Sequence, residues 1–484
     1  MSSPTKLIIE APQDLQNKTL EEVFECLQHL PWSGLLDTCE NKLSDGRFDI
    51  IVAQPVSTIR AKNGQLSLSS DLENALNTNC PFDYLDKAVS QFSKRISVPE
   101  SIQLEDDWLQ AHKLPFLVGA LGFFAYDLNT QIDGITNPDI IKTTPEHFAD
   151  DFAVGIYDES IIFDNHTNQV LYCHLGERKL LTQISQRVSK PQQHTHQAFS
   201  IDEHWQANVD QATYIKNIGR IKDYLVAGDC YQINYAQQFR TQYEGCEWEA
   251  YKHLRTINKA PFSSFLRHHD YSILSLSPER FLQVKNDNVE TKPIKGTRPR
   301  SNDPVEDKRN SDELLNAEKD RAENLMIVDL LRNDISKHCL AHSVKVPALF
   351  KLESYPAVHH MVSTVVGKIK PDSSPVKLLK GAFPGGSITG APKVRAMQII
   401  QELEQNKRAI YCGSIGYIGI RGDMDTSICI RTILAENNHL YCWAGGGIVL
   451  DSDAQDEYQE SLHKVAKILP VLSNDFADKT ARSD

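Results

Sequence analysis

From Ser414 to Leu469 the chain sets short apolar strands between tight turns and then closes on one amphipathic helix. Strands are predicted over Ser414 to Ile420, Thr426 to Leu434 and Leu440 to Trp443, with a turn at Arg421-Gly422-Asp423. The closing helix, from about Asp453 to Leu469, carries Tyr458, Leu462, Val465 and Leu469 on one stripe. Upstream, Tyr214, Ile218, Ile221 and Leu225 predict a helix over Gln211 to Ala227, stopped by Gly228. Strands are expected near Ser272 to Leu276 and Arg280 to Val284. A long charged helix is expected from Ser311 to about Lys337, with Leu314, Leu325, Val328 and Leu331 as its stripe. Strands mixed with amphipathic helices predict an α+β body of layered sheets covered by helices.

The polar stretch 189–204, with Pro191 and several Gln and His, reads as a linker. It separates an N-terminal region, 1–188, from a larger region, 205–473, with a tail at 474–484. Strand-like pieces such as Phe48 to Ala53 and Gln169 to Cys173 lie before it. A net charge of −13 over 484 residues argues against a nucleic-acid surface. A local basic cluster therefore points to a small anion. Ten cysteines without CxxC pairs suggest neither a zinc site nor a disulfide framework, and free thiols fit a reducing cytoplasm. The longest apolar run, Leu114 to Tyr126, is too short to span a membrane and is cut by Pro115, Gly119 and Gly122.

Lys295 stands in Pro293-Ile294-Lys295-Gly296-Thr297-Arg298-Pro299-Arg300. It reads either as a solvated loop lysine or as a desolvated amine, near other cations, that acts as a nucleophile. Glu279, sixteen residues earlier in Ser277-Pro278-Glu279-Arg280, is either a surface carboxylate or a general acid for that amine. Arg431 lies in the apolar run Ile428 to Leu434, so its guanidinium must meet an anion: an internal acid or a bound carboxylate. Gly385-Gly386-Ser387-Ile388-Thr389-Gly390-Ala391-Pro392-Lys393 lacks the Lys and Ser/Thr of a phosphate loop, although its glycines offer backbone donors. Gly445-Gly446-Gly447 suggests a tight turn or a close ligand approach. Glu323 falls mid-helix. Glu457 and Glu460 share one helix face, with Lys464 one turn on. Such carboxylates form an ordinary charged surface or hold Mg²⁺.

Read together, these motifs resemble the chorismate-utilising enzymes, the family of anthranilate synthase component I. The likeness is carried by Gly228-Asp-Cys-Tyr-Gln-Ile-Asn234, Ser277-Pro-Glu-Arg280, Pro293-Ile-Lys-Gly-Thr297, Glu323 to Asp334, Gly386 to Lys393, Asp425 to Arg431 and Ala444 to Val449. Leu30-Pro-Trp32, Arg47-Phe-Asp49 and Gly122 to Asp127 resemble the family's N-terminal segment. The resemblance implies the family's layered α+β fold, with the active site in a central cleft. Anthranilate synthases carry an alanine where this chain has Lys295. The lysine form, with Glu279 as acid, implies amination of chorismate at C4 through a covalent lysine intermediate, a step toward 4-aminobenzoate and folate. By the same resemblance Glu323 and Glu460, with Glu457 close by, hold Mg²⁺. Thr297, His360, Tyr417, Arg431, Gly445, Gly446, Gly447 and Lys464 line the chorismate site. Gln232 stands where salicylate-forming relatives place a water-activating lysine, which counts against that chemistry. A glutaminase subunit is expected as the partner supplying ammonia. A pocket for L-tryptophan is expected at Thr38, Asp45, Gly46, Arg47, Phe48, Pro261, Phe262 and Ser263, with Thr38 and Asp45 departing from the usual Ser and Tyr. Anthranilate synthesis is the alternative activity within the family. A non-catalytic aromatic-ligand subunit is the alternative outside it.

Overall fold

The computed structural model describes residues 4–39, 46–69, 79–103, 108–110, 113–132, 134, 147–189, 198–202, 204–355 and 358–476. Among them two large antiparallel sheets, of thirteen and eleven strands, form the body. Strands from both sides of the 189–204 stretch pair within each sheet. In the thirteen-stranded sheet Ser33–Asp37 lies beside Phe262–Arg267. In the other, Gly119–Phe124 lies beside Ser414–Gly419. Ser200–Ile201, inside the stretch read as a linker, pairs with the end of Gln232–Glu244, while 190–197 and 203 lie outside the described residues. So do 477–484 of the tail; its first residues belong to the helix Leu469–Phe476.

Strand periodicity explains the layering. In Tyr271–Ser277, Ile273 joins the core between the sheets, with Leu121, Phe123 and Ile415 of the opposite sheet. Its neighbour Leu274 turns outward to Phe24, Trp248 and Tyr251, on the helices Leu20–Leu27 and Glu247–Asn258. Adjacent residues thus bury on opposite faces, as the two-residue pleat dictates. On the smaller sheet Phe123 faces Tyr271 of the larger one, while Phe124 turns the other way to stack on Phe82 of the helix Pro81–Ser93.

Of the chain crossings between the sheets, two run side by side. Tyr271–Ser277 of the larger sheet passes through Pro278-Glu279 into Arg280–Lys285 of the smaller. Met424–Ile428 of the smaller passes through Cys429-Ile430-Arg431 into Thr432–Glu436 of the larger. Ile428 donates its N–H to the Glu279 carbonyl at 3.0 Å, and Leu276 to the Arg431 carbonyl at 3.0 Å. Corners of this kind hold packed sheets together and bring backbone from both layers to one seam.

Three predicted elements differ. Thr426 to Leu434 is not one strand: it breaks at the crossing, where Arg431 adopts φ +53°. The long charged helix is two, Pro304–Asn316 and Glu318–Ser336, separated at Ala317, where ψ is 102°. Leu325 is 53% exposed rather than part of the stripe. The closing helix spans Ala454–Lys464, and a second helix, Leu469–Phe476, follows it. No helix among the described residues is long and apolar enough to cross a membrane.

Candidate active site

The seam between the sheets opens into a cavity of about 490 Å³. Glu279, Lys295, Thr297, Glu323, His360, Arg431, Gly445, Gly447, Glu457, Glu460 and Lys464 all line it. The two crossings deliver Glu279 and Arg431. Lys295 comes from the edge strand Ile294–Pro299, whose register against Val358–Lys368 shifts between Ile294 and Thr297. That irregularity leaves Lys295 and Gly296 out of the regular ladder. Gly296 is required there: its φ is +80°, and a Cβ would stand 2.7 Å from Leu314 and 3.0 Å from the Asp320 carboxyl.

Glu279 is 6% exposed. Burial pushes its carboxyl up to about 7, opposed by the charge of Lys295 and by a 2.9 Å hydrogen bond from the Ser387 hydroxyl. A carboxylic acid at this value holds its proton through much of the neutral range. Lys295 makes no hydrogen bond or ion pair with the described residues. Its charge reaches Glu279, Glu323, Asp320 and Glu460. The lysine therefore sits on a strand, faces the cavity and is unclamped by the described residues.

Arg431 meets no internal acid among the described residues. Burial alone holds its guanidinium below the ordinary value, with no carboxylate to offset it. Of the two partners left open above, an internal acid is thus set aside, and the cavity offers a bare site for a carboxylate. His360 lies close by, bonded through Nδ1 to the Thr297 hydroxyl at 2.8 Å. Burial and then the charge of Arg431 push it down to about 4, so its ring is neutral at pH 7.

The carboxylates gather at the opposite wall. Glu323 rises from the helix Glu318–Ser336, held up by burial. Glu457 accepts a 2.6 Å hydrogen bond from Ser452 and lies 3.4 Å from the Lys319 ammonium. Glu460 pairs with Lys464 at 2.7 Å, which holds its carboxyl below the usual range. The Lys464 ammonium also donates to the Gly445 carbonyl at 2.9 Å. A Cβ on Gly446 would stand 3.1 Å from Glu457 Oε2 and 3.6 Å from Glu460 Oε1, so its absence keeps a space beside both carboxylates. No group of three His, Cys, Asp or Glu side chains among the described residues is closed up in metal-holding geometry. The donors are nevertheless hard oxygens around a small space, the chemistry that suits Mg²⁺.

The glycine runs behave differently from expectation. Gly445–Gly447 is no turn; it continues the strand His439–Ile448 against Asn234, Tyr235 and Ala236. A Cβ on Gly445 would reach 2.0 Å from the Tyr235 carbonyl, and one on Gly447 2.0 Å from the Gln232 amide. Close strand packing requires Gly445 and the Gln232 side chain crowds Gly447, and both glycines line the cavity, as a close ligand approach would need. In the Gly385 to Lys393 run, Gly386 is pressed against Leu330 and Gly385 against Ile428. The residue of that run that reaches into the cavity with a polar group is Ser387.

Tyr417 lies apart from this cavity. It lines a second one, of about 610 Å³, with Thr38, Arg47, Phe48, Pro261, Phe262 and Ser263. The residues suggested for a tryptophan pocket therefore do come together, except that Asp45 lies outside the described residues. Gly46 contributes its carbonyl, which accepts from the Thr38 hydroxyl at 3.2 Å. Arg47 is held by both oxygens of Asp164, and Thr38 also bonds the buried Asp49 at 2.7 Å. The tyrosine that does line the Lys295 cavity is Tyr411, stacked at 8° on Trp443. Asn234, Lys319, Asp320 and Ser387 also line it; the first and last stand in motifs quoted above without a role of their own, Lys319 and Asp320 in none. Lys319 precedes Glu323 by one helical turn, a signal that was available.

Comparison with known proteins agrees with this architecture. The model of the chorismate binding enzyme family matches residues 38–470. Aminodeoxychorismate synthase component 1 of Salmonella typhimurium is 44% identical over 458 residues, 94% of this chain and 96% of that protein. The Escherichia coli protein of the same name is 43% identical, over 93% of this chain and 96% of that one. The crystal structure of anthranilate synthase component I from Streptococcus pneumoniae superposes with a TM-score of 0.72 at 30% identity, covering 88% of this chain and 92% of that chain.

Proposed function

The chain belongs to the chorismate-binding enzymes, and from that premise we propose that it performs the reaction of aminodeoxychorismate synthase component 1, converting chorismate and ammonia to 4-amino-4-deoxychorismate. The observation that carries the reading is the unclamped Lys295 amine sharing one cavity with a Glu279 carboxyl that holds its proton near neutrality. An acid beside a nucleophile is what displacement of a hydroxyl requires, and a pure binding module has no use for it.

Arg431 receives a chorismate carboxylate. The Lys295 amine forms a bond to C2, the ring double bonds shift, and the C4–O bond breaks. Glu279 delivers its proton to that oxygen, which leaves as water. Ammonia then bonds to C4, the double bonds return, Lys295 leaves from C2 with the bonding electron pair, and the surplus proton of the new ammonium group returns to the Glu279 carboxylate. One ammonia is consumed and one water released. His360, neutral, orients the Thr297 hydroxyl at the cavity edge. Glu323 and Glu460, with Glu457, are the residues that would hold Mg²⁺, which would offset the charge of the dianionic substrate. A second component follows from the naming of the relatives, and a glutaminase supplying ammonia is the partner proposed. L-tryptophan is proposed for the second cavity, and the cytoplasm for the location.

Incubation with chorismate, Mg²⁺ and an ammonium salt, followed by an aminodeoxychorismate lyase, tests the reading. 4-Aminobenzoate is expected. Anthranilate fluorescence in its place would assign the chain to the anthranilate synthases, and unchanged chorismate would count against an enzyme of either kind.

Replacing Arg431 by Met removes the charge and keeps similar length. Loss of a charge-assisted carboxylate contact costs about 1.5–3 kcal/mol, so the KM for chorismate should rise roughly ten- to hundredfold. The melting temperature should not fall, because the half-buried guanidinium makes no hydrogen bond or ion pair among the described residues. An unchanged KM would remove Arg431 from the substrate site.

A further inference from the structure

We infer that Ser387 is a positioning residue for the reaction proposed above, holding one oxygen of the Glu279 carboxyl so that the other faces the departing C4 hydroxyl. The inference rests on that reading of the site.

Among the described residues, the Ser387 hydroxyl is the only hydrogen-bond partner of the Glu279 side chain, donating to Oε1 at 2.9 Å. A carboxyl has two oxygens, and a general acid works only through the one that carries the proton. Because Ser387 donates its own hydrogen to Oε1, that oxygen is occupied as an acceptor. The acidic proton is thereby placed on Oε2. Without Ser387 the carboxyl turns freely about its last bond and presents the wrong oxygen, or the wrong rotamer, for part of the time.

A positioning group must itself be fixed, and Ser387 is fixed from both ends. It sits in the short turn Gly386–Ile388 and is 8% exposed. On one side, Gly386 is pressed against Leu330 of the helix that carries Glu323. On the other, the Ile388 carbonyl accepts from the Arg408 guanidinium at 3.0 Å, and the Thr389 carbonyl accepts from the Asn234 N–H at 2.8 Å. Arg408 is 1% exposed and anchored by Glu404 at 2.6 Å. The backbone of Glu279 is anchored as well, its carbonyl taking the Ile428 N–H and its N–H reaching the Ser277 hydroxyl at 3.2 Å. Only the side-chain torsions of Glu279 remain to be set, and Ser387 sets them. This role also accounts for the glycine-rich run around Ser387, which is no phosphate loop.

The groups acting on Glu279 are Lys295 from the strand Ile294–Pro299, Lys464 from the helix Ala454–Lys464 and Ser387; Cys412, buried, also feels its charge. Both lysines and the Ser387 bond favour the ionised form, so removal of the hydroxyl raises the value further.

Ser387→Ala and Ser387→Thr are compared with the unaltered protein in the ammonium-dependent assay, with adduct formation on Lys295 followed by mass against pH. In the alanine variant kcat should fall about tenfold or more. The KM for chorismate should stay within about twofold, and the alkaline limb of adduct formation should move to higher pH. Threonine keeps the hydroxyl and should restore both kcat and the limb. If alanine leaves kcat and the limb unmoved while the unaltered protein turns over, the positioning role is overturned and the functional reading stands. Equal loss in the threonine and alanine variants, with the limb unmoved in both, would make Ser387 a packing residue and also overturn it. An unaltered protein inert toward chorismate and ammonium would overturn the functional reading itself.

Discussion

Lys295→Ala is expected to cut amination of chorismate on the order of 10³-fold or more, and to abolish a covalent adduct that the unaltered protein forms with chorismate when ammonia is withheld. The size follows from the leaving group. Direct attack of ammonia at C4 must expel a hydroxyl in one displacement, whereas the lysine divides that barrier into two steps. Alanine changes more than the nucleophile, however. The Lys295 charge favours the ionised forms of Glu279, Glu323, Asp320 and Glu460, so its loss raises all four carboxyls. Lys295→Arg separates these effects. Arginine keeps the positive charge and cannot be deprotonated. It should therefore retain chorismate binding and lose the adduct. Intact-mass spectra recorded with chorismate alone decide the matter. Full glutamine- or ammonium-dependent turnover by the alanine variant would remove Lys295 from the mechanism.

Much of this site was legible in the sequence because its parts are local signals. Lys295 beside a glycine, Glu279 before a strand and Glu460 one turn from Lys464 each declare a residue type in a defined setting, and all of them reach one cavity. Arg431 shows where legibility ends. The residues flanking it are apolar on both sides because each flank enters a different sheet, so the apolar run continues through a chain crossing. Nothing in residue type announces the φ of +53°. The break at Ala317 is similar: Asn316, Ala317 and Glu318 carry neither glycine nor proline, and tertiary packing divides what propensity would join. Tyr417 and Tyr411 mark a third kind of limit. Both are aromatic residues in buried apolar stretches six positions apart. Which one faces the Lys295 cavity depends on how the Ser414–Gly419 strand is seated between its neighbours, and no single sequence displays that.

Glu279→Gln should lower turnover by about 10²- to 10⁴-fold, the usual contribution of a general acid, and should make the protein more stable at alkaline pH. Both effects come from one burial. The folded carboxyl titrates at about 7, above its ordinary value of 4.5. Protonated, it is tolerated in the seam. As pH rises from the unfolded value through the folded one, the unfolded chain releases the proton to water before the folded chain does. Stability from this group is therefore complete below about pH 4.5, falls across the interval, and is lost above about pH 7. The difference amounts to about 3 kcal/mol when conversion is complete. Glutamine has the shape of the protonated acid, keeps a carbonyl for Ser387 and never ionises, so it escapes that cost. The variant should thus match the unaltered protein in thermal unfolding at pH 4.5 and melt at higher temperature at pH 8.5. In the unaltered protein the rate of adduct formation should decline as pH passes through about 7 and Glu279 loses its proton. A glutamine variant that keeps its activity, or melts no higher at pH 8.5, would mean that the Glu279 carboxyl is neither the acid nor held protonated by its burial.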